Sequence, residues 1–245
     1  MPKRPMRALI LVILLCICPC QGEDEAQRAL ADARRLAEQG DYEGALAKHV
    51  WFHDNALKVR PGYYGVRLSF ALSDWVELGK KYPRALEKLK SIRDEKTSRL
   101  LTGEANRELF NDVESINKYL GESKATVELF NRIEAVDPGF AGRIYSIAEE
   151  ALLQAREYAL AKKYLGDPTK RLAAARRNFE EDMELAKTGE MGDHTREAFK
   201  SIFTDRVVRL ITVMKETGDG AGARNIQAEA LKTLENDTIR NALKE

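Results

Sequence analysis

Apolar residues recur along the chain at intervals of three and four, with charged residues between them. In the first such stretch, residues 23–39, the apolar positions are Ala26, Ala29, Leu30, Ala33, Leu36 and Ala37. Positions three and four apart share one face of an α-helix, so this spacing is typical of an amphipathic helix. No stretch alternates apolar and polar residues long enough to indicate a strand. The pattern therefore predicts an all-α fold.

Glycines and prolines mark the ends of the predicted helices. Beyond residue 22 the chain has four prolines, and each lies at a proposed helix boundary: Pro61, Pro83, Pro138 and Pro168. Proline has no N–H to donate and its ring clashes with the preceding turn, so it fits the first turn of a helix better than the interior. The boundaries predict helices over 23–39, 42–59, 64–79, 83–101, 104–120, 124–136, 139–156, 158–165, 169–187, 194–217, 221–234 and 237–243.

A short hinge motif recurs between these helices. The residues that define its copies are Gly40, Tyr42 and Ala45, then Tyr82 and Ala85, then Tyr158 and Ala161, and last Gly218 and Ala223. The alanines at 45, 85, 125 and 161 lie 40, 40 and 36 positions apart. Spacing of this length is typical of helical-repeat arrays, in which pairs of antiparallel helices stack on one another.

The first copy resembles a known family. Ala33, Leu36, the turn 40–42 and Ala45 resemble the helix–turn–helix of a tetratricopeptide repeat (TPR). The resemblance implies that the small Ala45 allows close approach to the preceding helix and that the tyrosine of the turn fills the hinge. One feature departs from the pattern, because Pro61 lies 16 positions after Ala45. The second helix is thus about one turn longer than in a standard repeat, and we describe the motif as TPR-like.

The resemblance implies a domain organisation. Residues 23–167 are predicted to form a short TPR-like α-solenoid, and residues 168–245 a looser C-terminal helical extension or cap. The blocks 51–54 and 64–75 also look similar to exported bacterial TPR-like proteins without an assigned function.

A second run matches the TPR consensus in a misleading register. Trp75-x-x-Leu78-Gly79-x-x-Tyr82 has the residues with which the consensus opens. In that register Pro83 would lie inside a helix, where a proline costs about 3 kcal/mol. We therefore reject the register and predict that one helix ends near Gly79 and the next begins at Pro83.

The N-terminus differs from the rest of the chain. Basic residues within the first seven positions precede an uncharged run, 8–20, and acidic residues begin at Glu23. This order is typical of a secretory signal peptide, and the run is shorter than the roughly 20 residues of a membrane-spanning helix. We expect export to the periplasm or the extracellular space, cleavage of residues 1–22, and no stable membrane insertion afterwards. The alternative is an uncleaved N-terminal segment that anchors the protein.

Charge and cysteine content narrow the function classes. The 40 basic and 39 acidic residues nearly cancel, which argues against nucleic acid as a partner. All three cysteines, at 16, 18 and 20, lie in the predicted signal peptide, so the mature chain would have no disulfide or thiolate nucleophile. The sequence contains neither a phosphate-binding glycine loop nor the G-x-S-x-G turn of serine hydrolases. We therefore predict a non-catalytic protein without a cofactor.

Two histidines allow a different hypothesis. His49 and His53 lie four positions apart, so on a helix their imidazoles would reach one Zn²⁺. The zincin motif requires a glutamate directly after the first histidine, and Val50 occupies that position. Two interpretations stay open: a metal-dependent hydrolase built on this pair, or histidines that are packed or hydrogen-bonded in a helix interface.

The candidate partner-binding residues lie on the second and third predicted helices. They combine large aromatic rings with polar groups, as interaction surfaces do, and are Trp51, His53, Asp54, Arg67, Asp74 and Trp75. The alternative for the aromatic residues is core packing, and for Arg67 and Asp74 an ion pair that only stabilises the helix stack. We predict a module that binds a protein or peptide segment on the concave face of the array. A self-assembling structural envelope protein is a further alternative, because an array with an uncapped end can associate.

Overall fold

The structure, a computed structural model, describes residues 24–188 and 193–244. Every regular element in these two ranges is helical, which confirms the all-α prediction. The predicted signal peptide, 1–22, and its cysteines lie outside the described residues. None of the helices that the structure describes is long and apolar enough to cross a membrane.

The helices agree closely with the predicted boundaries. They are α1 (Glu25–Glu38), α2 (Tyr42–Val59), α3 (Tyr64–Arg67), α4 (Phe70–Lys81), α5 (Pro83–Leu101), α6 (Arg107–Leu120), α7 (Ser123–Val136), α8 (Pro138–Gln154), α9 (Tyr158–Leu165), α10 (Pro168–Thr188), α11 (Asp193–Glu216), α12 (Gly220–Leu231) and α13 (Asp237–Asn241). Pro83, Pro138 and Pro168 are first residues of helices, and Pro61 begins a short 3₁₀ turn, Pro61–Tyr63.

The prediction of one continuous helix over 64–79 was wrong. The segment forms α3 and α4, separated at Ser69, whose φ of −132° and ψ of −94° are not helical. The Ser69 Oγ donates a hydrogen bond of 2.7 Å to the carbonyl oxygen of Gly65. A serine side chain bonded four residues back competes with the backbone ladder and bends or interrupts a helix.

The turns before α2 and α12 have the same construction. Gly40 and Gly218 have φ of +82° and +85°, a region that residues with a side chain rarely adopt. In each turn the following aspartate caps the next helix, and its carboxylate accepts a 2.9 Å hydrogen bond from the backbone N–H three residues on. The alanine that follows in each copy, at positions 45 and 223, is fully buried.

The chain divides into two compact units, the first ending at Leu86 and the second beginning at Glu87. In the first unit α1 packs on α2, and α4 packs on both. Its core combines small residues of α1 with the aromatic rings of Phe52 and Tyr63, which meet edge to face at 5.8 Å between ring centroids.

The second unit has an extensive hydrophobic core. It draws buried residues from the part of α5 after residue 86 and from every later helix. Most neighbouring helices pack on one another, as α7 does with α8 and α10 with α11, and some helices two apart also meet, as α6 does with α8 and α9 with α11. The core includes buried residues on both sides of residue 167, where a domain boundary was predicted; that boundary stays a prediction.

Candidate functional site

Trp75 lies in the interior of the first unit. Its side chain, on α4, is 1% exposed, and its Nε1 donates a 2.9 Å hydrogen bond to the carbonyl oxygen of Ala85. The His49 ring stacks on the indole at 5.7 Å between centroids, and the His53 ring meets it edge-on at 6.1 Å. The structure therefore brings three of the predicted residues together as a packed aromatic cluster.

Arg67 and Asp74, the polar candidates of the third predicted helix, have separate roles. Arg67 is buried; its Nε donates a 2.8 Å hydrogen bond to the carbonyl oxygen of His53, and its Nη2 lies 3.4 Å from that residue's Nε2. Asp74 is half-buried and accepts a 2.7 Å hydrogen bond from the Nε of Arg34 on α1. Arg67 thus joins α3 to α2, and Asp74 joins α4 to α1.

His49 is in an apolar position. Burial lowers the pKa of its imidazole from the usual 6.5 to about 4, the charge of Asp74 opposing this change and that of Arg34 adding to it. The imidazole is therefore neutral at pH 7, and its buried Nδ1 has no hydrogen-bond partner. Among the described residues, no group of three or more His, Cys, Asp or Glu side chains could hold a metal ion.

Trp51 and Asp54 are the accessible residues that α2 contributes to the predicted set. The indole of Trp51 is half-buried: one part packs on the core of the first unit, and another lines a groove of about 470 Å³ between α1 and α2. Small side chains, Ala29 and Ala47, lie beside it in the groove. The side-chain amide of Asn55 donates a 2.8 Å hydrogen bond to the carbonyl oxygen of Trp51.

Charged residues of both signs surround the Trp51 groove. Glu25, Arg28 and Asp32 come from α1, and Lys48 comes from α2. The Nζ of Lys48 lies 3.1 Å from the Oδ2 of Asp32, an ion pair across the groove. The α1 residues were not predicted to belong to a site, because nothing in the sequence distinguishes them from the other charges on that helix until it packs against α2.

Comparison of the chain with models of protein families, with curated proteins and with solved structures finds no match. The resemblance to TPR repeats therefore stays a prediction, based on the hinge residues at 40–45 and their later copies. The first unit combines a buried aromatic cluster around Trp75 with an open groove at Trp51.

Proposed function

We propose that the chain is an exported, non-catalytic interaction module that binds a protein or peptide segment in the Trp51 groove. One observation carries the proposal: a large aromatic ring is held half-buried beside two alanines in an open groove. Tryptophan is enriched among the residues that dominate binding energy at interfaces. The small residues leave room for an apolar side chain of the partner against the indole.

The charges at the rim of the groove favour peptides with an acidic group. Arg28 forms no ion pair with any carboxylate that the structure describes, whereas Asp32 is occupied by Arg35 and Lys48. An incoming acidic group would therefore meet an unneutralised guanidinium. We infer that the preferred segment has an aromatic or aliphatic side chain next to an aspartate or glutamate.

We further propose that the helix hairpins within each unit stack in the TPR-like manner. The recurring hinges support this, as do the contacts between helices two apart in the chain. In the first unit the hinge tyrosines Tyr42 and Tyr82 stack at 6.1 Å between ring centroids, and the Tyr82 hydroxyl donates a hydrogen bond to Glu43. In repeats of this kind, binding surfaces extend along the stacked helices.

A peptide-display selection on the purified protein tests the function. We expect enriched peptides to bind the unaltered chain and to lose about tenfold or more in affinity on Trp51→Ala, since a tenfold change corresponds to about 1.4 kcal/mol and anchor residues exceed it. Fluorescence anisotropy of a labelled peptide measures the affinity.

Phe70→Ala is the matched control. Phe70 is an aromatic residue of the same unit, 67% exposed, and is not part of the groove. Peptide affinity should be unchanged in this variant. The proposal is wrong if no peptide is enriched, or if affinity depends on Phe70 and is indifferent to Trp51.

A further inference from the structure

The second unit contains a cleft of about 350 Å³ between α8, α10 and α11. Its floor is apolar and formed by residues that are nearly fully buried: Leu172, Ala175, Val207 and Leu210. Arginines project from the walls, Arg171 from α10 and Arg206 and Arg209 from α11. An apolar floor with a few polar groups at its walls is the usual make-up of a small-molecule site.

Arg171 is already neutralised. Its Nη1 and Nη2 donate to the two carboxylate oxygens of Glu149 at 2.7 and 3.1 Å. The Tyr145 hydroxyl donates a third hydrogen bond of 2.8 Å to the same carboxylate. Glu149 is buried, so this bidentate pair is a fixed wall of the cleft.

Arg209 is also paired. Its Nη2 donates a 3.2 Å hydrogen bond to Glu150, which Lys118 also contacts at 2.9 Å. Burial acts to raise the pKa of Glu150, but the hydrogen bond and charge of Lys118 and the charge of Arg209 outweigh it, so the net change is downward. Glu150 is therefore ionised at neutral pH, and it occupies the Arg209 guanidinium.

Arg206, unlike the other two arginines of the cleft, is not neutralised by a carboxylate of a described residue. It makes no ion pair with a carboxylate in the two described ranges. Its Nη1 lies 3.2 Å from the side-chain oxygen of Asn178, in the amide orientation that also lets the Asn178 nitrogen donate to the carbonyl of Ala174. Three arginines against one glutamate line the cleft, and Glu150 offsets one more positive charge from outside it. The cleft thus keeps a net positive charge at Arg206.

We propose that this cleft binds a small organic carboxylate. The apolar body of the ligand lies on the apolar floor of the cleft, and its carboxylate pairs with Arg206. A guanidinium presents parallel N–H donors that match the two oxygens of a carboxylate. The volume is at the lower end of the roughly 300–1,000 Å³ of ligand pockets, which suits a small molecule. This inference is independent of the peptide-binding proposal, because its residues belong to the other compact unit.

Isothermal titration of the full chain with benzoate and hexanoate tests the proposal, with inorganic phosphate as a third probe. We expect saturable binding of at least one carboxylate, and a loss of about tenfold or more in affinity on Arg206→Gln, as for hydrogen bonds to a charged group. Ala174→Leu keeps every charge and fills the cleft, so it should abolish binding as well. Circular dichroism checks that each variant is folded.

Arg177→Gln is the matched control, since it removes one exposed positive charge from α10 outside the cleft. Its affinity for the carboxylate should equal that of the unaltered chain. The proposal is overturned if neither carboxylate binds, if phosphate alone binds, or if Arg177→Gln weakens binding as much as Arg206→Gln does.

Discussion

Arg156 has a backbone conformation that other hinges of this chain assign to glycine. Its φ is +61°, against +82° at Gly40 and +85° at Gly218. The backbone N–H of the next residue, Glu157, donates a 2.9 Å hydrogen bond to the carbonyl of Leu152, five residues earlier. The residues that follow Gly40 and Gly218 make the same bond to the carbonyl five residues before them. The Tyr158 hinge is therefore the same helix-ending turn, built without the glycine that the sequence pattern associates with it.

This conformation predicts that Arg156→Gly stabilises the protein. A left-handed residue with a side chain costs about 1–2 kcal/mol, whereas the greater freedom of glycine in the unfolded chain takes back about 0.4–1 kcal/mol. We expect the free energy of unfolding to rise by up to about 1.5 kcal/mol, measured by urea denaturation. Gly218→Ala is the converse variant and should be destabilised; a gain in stability there would contradict this explanation.

The buried imidazole of His49 predicts a pH dependence. Because its pKa falls from 6.5 to about 4 on folding, the unfolded chain binds more protons between these values. The free energy of unfolding has its full value above pH 6.5. It decreases as the pH falls from 6.5 to 4, by about 3 kcal/mol in total.

His49→Phe keeps a ring against Trp75 and removes the titrating group. Urea denaturation at pH 7 and pH 4 should show a smaller loss of stability in this variant than in the unaltered chain, by about 3 kcal/mol. His194→Gln removes an exposed imidazole and serves as the control. Equal pH dependence in the unaltered chain and His49→Phe would show that folding does not lower the pKa of His49.

Trp51 and Trp75 show how far the candidate site could be predicted from sequence. Both are aromatic residues on helices, and both were predicted to bind a partner. Their difference depends on which side of each helix meets a neighbour: Trp75 faces two histidines of α2, whereas Trp51 borders the gap between α1 and α2. Helical periodicity identifies a face of a helix, but not the element that covers it.

At the scale of the helix, the starts of α2 and α12 have the same aspartate cap. The Asp41 carboxylate folds back over the first turn of α2, and a Cβ on Gly44 would lie 2.5 Å from its Oδ2. The same holds at Asp219 and Gly222, where the distance would be 2.6 Å. The repeated Gly-Asp-x-x-Gly-Ala pattern thus reflects a chain reversal, a cap and the room that the cap needs.

Removal of a cap gives a further prediction. Asp41→Ala should lower the free energy of unfolding by about 1 kcal/mol, the usual contribution of an N-cap side chain. Thermal or urea denaturation measures it. Asp41→Asn keeps an oxygen that accepts from the Gly44 N–H and should retain most of the stability; a loss equal to that of Asp41→Ala would assign the effect to charge and not to the hydrogen bond.

Helix boundaries were predictable where proline or glycine causes them. Pro83, Pro138 and Pro168 each begin a helix because their missing N–H is not needed in the first turn. The break between α3 and α4 was not predictable in this way. Ser69 occurs in a segment with helical periodicity. Its sequence context does not show that its hydroxyl bonds to Gly65 or that its backbone N–H bonds to the carbonyl of Val66, three residues back, in place of the helical partner four residues back.

At the scale of the whole molecule, the boundary between the two units falls inside α5. The first turn of that helix belongs to the first unit, where Ala85 accepts the Trp75 hydrogen bond and Leu86 packs against Gly79. Further along, Lys96 pairs with Asp112 of α6 at 2.5 Å, and Leu100 joins the core of the second unit. No glycine or proline marks such a boundary, so sequence punctuation could not predict it.

The central claim is that a partner segment occupies the Trp51 groove, and site-specific photocrosslinking tests it most directly. A benzophenone amino acid replaces the exposed Ala47 in the groove or, in a second variant, Phe70 outside it. Illumination with a display-selected peptide should give a covalent adduct at position 47 and none at position 70. An adduct at position 70 alone, or equal yields at both positions, would contradict the account.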